Sequence, residues 1–69
     1  MELKWEDGFE IKTSVVCGAI VISANRDGLL SLARHLNALA DEKAGSHIHL
    51  DEYNSLETDS VELIIEKTE

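Results

Sequence analysis

The tightest grouping of chemically capable side chains is His47-Ile48-His49-Leu50-Asp51. On an extended strand its two imidazoles share one face about 7 Å apart, with Asp51 next in line. That spacing suits zinc or nickel if a third ligand, such as Glu52 or Glu62, arrives from elsewhere. An exposed, hydrogen-bonding strand face accounts for the same residues, and no second ligand cluster is visible. His47 and His49 are therefore only weak metal candidates, and no metal or other cofactor is expected. His35 sits beside an apolar helical stripe and reads as a boundary residue rather than a general base.

Nucleophilic chemistry finds less support. Cys17 has no base or helix N-terminus near it in sequence to lower its pKa. The serines form no G-x-S-x-G elbow, and there is neither a P-loop nor a paired-glycine dinucleotide fingerprint. Acid pairs need a cleft to separate their pKa values, and a chain of 69 residues has little interior in which to make one. No catalytic residue is expected, and an enzyme is disfavoured.

The elements that would position these groups follow from periodicity. Residues 1 to 24 read as β structure: Leu3 and Trp5 alternate with charged neighbours, Asp7-Gly8 is a hairpin-turn signal, and Phe9, Ile11, Thr13 and Val15 alternate again. Residues 19–23, after Gly18, are apolar on both faces, as in an interior strand paired with the preceding one. The period then becomes helical. Leu29, Leu32, Ala33, Leu36, Leu39 and Ala40 form one stripe, with Asn25 as N-cap, Asp27 in the first turn and Gly45 as the stop signal. A helix from 26 to about 43 would be roughly 27 Å long. Residues 46–51 form a fourth strand and 61–67 a fifth, the latter with Val61, Leu63 and Ile65 inward.

The expected architecture is thus a single α+β domain over residues 1–69. Its antiparallel or mixed five-stranded sheet runs in the order β-β-β-α-β-β, with one long amphipathic helix packed on one face. That arrangement leaves the other face open, with Val16, Val21 and Ile64 pointing away from the helix. Covering an apolar patch of that kind by a second copy makes these three residues the candidate dimer interface. Scattered exposed apolar residues are the plainer alternative.

Charge narrows the partner. Fourteen acidic against six basic side chains give a net charge of -8, which disfavours nucleic acid because phosphate binding needs clustered Lys and Arg. No run of about 18 apolar residues suggests a membrane span. Acids near Met1 argue against a signal peptide, and a single cysteine rules out an intrachain disulfide, so a reducing cytoplasm is expected. Residues 1–10 carry a net -3, residues 11–40 a net +2 and residues 41–69 a net -7. An acidic surface of that density would steer a basic partner, although solubility alone also explains acidic faces.

Two segments resemble a known family. Asn25-Arg26-Asp27-Gly28-Leu29-Leu30-Ser31-Leu32-Ala33, running on to His35-Leu36, resembles the GNxxGLLxLAxHL helix start of immunity protein family 32, a group of small bacterial proteins. Gly45-Ser46-His47-Ile48-His49-Leu50-Asp51, with Tyr53-Asn54-Ser55-Leu56-Glu57 and Ser60-Val61-Glu62-Leu63-Ile64-Ile65-Glu66, is similar to its HxHLDxxNSLExxSxELIIE stretch. Ala24 and Asp59 depart from the pattern, each where a glycine is expected. The resemblance implies a stand-alone α+β protein of a polymorphic toxin system that neutralises a cognate toxin. Joined to the charge, it makes His49, Asp51, Glu52, Tyr53, Glu57, Asp59 and Glu62 the candidate partner-binding set, with a basic, nuclease-type toxin as partner. Capping of the turn by Asn54 and Ser55 and plugging of the core edge by Leu56 explain those three residues without binding. A structural or regulatory homodimer without a toxin partner is the alternative from a different class, with a metal-binding protein built on His47 and His49 behind it.

Overall fold

The computed structural model describes residues 1–69, with β1 at Ile11–Val16, β2 at Ala19–Ala24, α1 at Arg26–Ala40, β3 at His47–Leu50 and β4 at Leu63–Glu66. The four strands form two separate antiparallel pairs, β1-β2 and β3-β4, so the expected five-stranded sheet is not present. The α+β class with one helix stands.

Hydrogen bonding explains both differences. The alternating segment at residues 3–6 forms no strand because the helix takes its backbone groups. The Glu6 N–H donates to Ser31 Oγ at 2.8 Å, and the Lys4 carbonyl accepts from His35 Nε2 at 3.1 Å. The sheets stay apart because residues 57–61 run along the second edge of β1 without becoming a strand. Glu57 N and Val61 N donate to the carbonyls of Ile11 and Thr13. Thr13 N donates to Ser60 Oγ, and Thr13 Oγ1 donates to the Val61 carbonyl. Side chains thus replace half of a ladder, and Val61, expected inward, is exposed.

The β1-β2 hairpin turns at Cys17 and Gly18, whose φ angles of 50° and 81° match the pair of positive values a two-residue turn of the right twist requires. Pairing of β2 with β1 follows the expectation, but its interior placement does not. Strand β2 has β1 as its sole partner, and from Ala19 to Ser23 it is exposed on both faces. The Asp7-Gly8 turn forms with Gly8 at φ 79°, yet leads from a non-strand segment.

Helix α1 starts where the cap signal places it: the Asn25 side chain accepts from the Gly28 N–H at 2.8 Å. It ends at Ala40, short of 43. No basic residue lies in its last turn; instead Lys67 Nζ donates to the carbonyls of Ala40 and Glu42 at 2.7 and 2.6 Å.

The buried helix face is Gly28, Ser31, Leu32, His35 and Leu39, so the helix is rotated from the expected stripe and Leu29 and Leu36 are exposed. Gly28 causes this rotation. A Cβ there would lie 2.4 Å from the Glu10 carbonyl oxygen and 3.0 Å from Ile11 Cγ1. Only a glycine lets the helix approach the hairpin base that closely.

Ile11, Leu32, Leu39, Ile48, Leu50 and Leu56 form the core, with Leu3, Trp5, Phe9, Ala24, Leu63 and Ile65 packed around it. Trp5 stacks on Phe9 at 4.4 Å and meets His35 edge-on at 4.2 Å. His35 is a core residue, 2% exposed, rather than the boundary residue expected. Burial lowers its pKa from the ordinary histidine value, against a smaller opposing effect of the Lys4 carbonyl. Its Nδ1 is buried without a partner, which fits the neutral Nε2–H tautomer, since a proton on Nδ1 would have no acceptor.

Two outcomes follow. Gly28→Ala, which in an ordinary helix would add roughly 1 kcal/mol, should destabilise by about 1–3 kcal/mol through overpacking, read as a lower urea midpoint. Burial lowers the folded pKa of His35, so the unfolded chain binds the extra proton as pH falls below the unfolded histidine pKa near 6.5. Stability is therefore full above that pH and declines below it, by at most about 1.4 kcal/mol per pH unit from this group. Urea curves at pH 7.5 and 5.5 should show that decline, reduced in His35→Gln.

Candidate functional site

The outward face of the β3-β4 hairpin and the loop that closes it bring most of the candidate residues together. Ile48 and Leu50 point into the core, which turns His47 and His49 outward. The register pairs His47 with Glu66 and His49 with Ile64. Continuing it one residue past Leu50 and Leu63 sets Asp51 opposite Glu62. His49 Nε2 lies 3.5 Å from Asp51 Oδ2 and 3.3 Å from Glu62 Oε2. The three ligating atoms lie within 4.8 Å of one another. His47 is exposed but stands outside this cluster.

The loop after β3 is built by short-range hydrogen bonds. Asn54 Oδ1 accepts from the Asp51 N–H at 3.0 Å and from Ser55 Oγ at 2.5 Å, while its Nδ2 donates to the His49 carbonyl at 3.1 Å. Asp51 Oδ1 accepts from the Tyr53 N–H at 2.9 Å. Asn54 and Ser55 thus cap the turn, and Leu56, 5% exposed, closes the core edge. Glu52 also supports the loop, because its carboxylate accepts from the Asp59 N–H at 3.0 Å. That bond holds position 59 at φ 69°, a left-handed conformation that glycine adopts freely and aspartate tolerates.

Projecting from this scaffold are Tyr53, 90% exposed, and the exposed acids Glu52, Glu57, Asp59 and Glu62; Asp51 is half-buried. Val16 and Val21 share one face of the β1-β2 hairpin, whereas Ile64 stands on the other sheet beside His49. One feature unannounced by sequence spacing is an open depression of about 460 Å³ at the hairpin base, lined by Glu10, Ile11, Lys12, Ser23, Ala24, Asn25 and Glu57. It gathers residues far apart in the chain, which periodicity does not relate. No helix is long and apolar enough to cross a membrane.

The fold is a small α+β domain whose β3-β4 loop exposes Glu52, Glu57, Asp59 and Glu62. The model of the family described as immunity protein 32 matches residues 19–68, most of the chain, and the chain belongs to that family. Membership points to toxin neutralisation. No curated protein and no solved structure matches the chain.

Proposed function

We propose that the protein neutralises the cognate toxin of a polymorphic toxin system, in the cytoplasm and without catalysis of its own, by covering a basic, nuclease-type toxin with its acidic face. The observation that carries this reading is the net charge of -7 over residues 41–69, much of it displayed on the loop between β3 and β4. Family membership supports the toxin as partner. Tyr53, fully projecting from the loop, supplies a rigid aromatic contact, and Glu57, Asp59 and Glu62 supply complementary charge. Asp51, Glu52 and His49 complete the set, the first two while holding the loop in shape.

Because Asp51 and Glu52 hold the loop, the informative variants are elsewhere. Toxin captured on the immobilised protein from toxin-encoding strains should elute between low and moderate salt. A Tyr53→Ala, Glu57→Gln, Asp59→Asn triple variant should bind it at least about tenfold more weakly, since an aromatic contact and two complementary charges contribute a few kcal/mol between them. Undiminished affinity in the variant, or retention indifferent to salt, sinks the acidic-face mechanism.

One observation favours a second reading, a structural or regulatory homodimer. Val15, Val16, Ile20, Val21 and Ile22 are all exposed on a hairpin whose β2 edge is unpaired. Between residues 11 and 24 the only charge is Lys12, so two copies of a strongly acidic chain can meet there without opposing their carboxylates. Sedimentation at micromolar concentration should then give dimers, and Val21→Lys should give monomers. A wild-type chain sedimenting as a monomer of 7.6 kDa removes this reading.

A further inference from the structure

We propose that His49, Asp51 and Glu62 form a site for one divalent transition-metal ion of the zinc class at the loop end of the β3-β4 hairpin. Three observations carry it. The first is distance. Zinc bonded to nitrogen and oxygen at about 2.0–2.1 Å in a tetrahedron places its ligands about 3.4 Å apart, and Nε2 of His49 stands 3.3 and 3.5 Å from the two carboxylate oxygens. The remaining edge, between the carboxylates, is within 4.8 Å, and rotation of the exposed Glu62 side chain shortens it.

The second is charge. The carboxylate oxygens of Asp51 and Glu62 come within 4.8 Å of each other, and like charges that close repel. Neither carboxylate is ion-paired with a lysine or an arginine. A divalent cation removes the repulsion and lets all three groups bind it in their ligating forms. The third is preorganisation. The Tyr53 N–H fixes one oxygen of Asp51 and leaves Oδ2 facing His49. His49 is in turn positioned by a strand whose neighbouring residues are locked in the core.

One imidazole and two carboxylates select zinc, cobalt, nickel or copper over magnesium and calcium, which prefer all-oxygen shells. Three protein ligands leave a fourth position open to solvent, for water or a donor from a bound protein.

The test is calorimetric titration of the isolated chain with zinc chloride in a non-coordinating buffer at pH 7, in a Cys17→Ser background so that no thiol competes. Saturation at one ion per chain with micromolar affinity is expected. His49→Gln and Glu62→Gln should each weaken it by about tenfold or more; His47→Gln should leave it unchanged. All three side chains are at the surface, and far-UV circular dichroism checks that each variant is folded. Absence of saturable heat up to millimolar zinc overturns the proposal, as does binding that survives His49→Gln or disappears with His47→Gln. No toxin enters the experiment, so its result is independent of the acidic-face reading.

Discussion

The structure depends on a joint at Asn25. Its side-chain oxygen accepts from the N–H groups of Gly28 and Glu10, its amide donates to the Gly8 carbonyl, and its own N–H donates to the Glu10 carbonyl. One residue thereby ends β2, starts α1 and fastens the approach to β1. The helix begins so close to the hairpin base that position 28 has no room for a side-chain carbon. That contact sets the rotation of the helix, which puts Ser31 and His35 where the N-terminal segment needs hydrogen-bond partners. Only ten of the 69 residues are buried, so few apolar contacts are available to correct an error at this joint.

The loop after β3 divides into residues that shape its backbone and residues that project to solvent. Asp51, Glu52 and Asn54 spend their polar groups on backbone N–H groups of the loop, whereas Tyr53 and Glu57 turn their side chains to solvent. A surface built in this way is held in shape by its own chain, and under the proposed function that rigidity would reduce the entropy lost on binding. The loop is joined to β1 through Glu57, Ser60 and Val61, so it shares a scaffold with the β1-β2 hairpin.

Local signals were legible in the sequence because each is carried by residues close together: the Asn25 cap, the helix, the pairing of β2 with β1 and the outward direction of His47 and His49. Rotation of the helix was not legible. Hydrophobic periodicity counts Gly28, Ser31 and His35 as polar or neutral, yet a bare backbone, a hydrogen-bonded serine and a histidine bonded through Nε2 are what the interior accepts there. The split of the sheet escaped for a similar reason. Side-chain hydrogen bonds at Thr13 and Ser60 stand in for strand pairing, and alternation of polarity carries no trace of them. At the site, Glu62 could be named as a ligand candidate from composition alone, but choosing it over Glu52 required the register of β3 on β4.

The two ends of the helix are secured from very different distances along the chain. Asn25 caps the first turn from the adjacent position, whereas the last carbonyls wait for Lys67, 27 residues beyond Ala40. Lys67 is itself held by backbone bonds to Ser46 and Gly45 at the end of the β3-β4 ladder, so anything that frays that ladder also unfastens the last turn of a helix far from it in sequence.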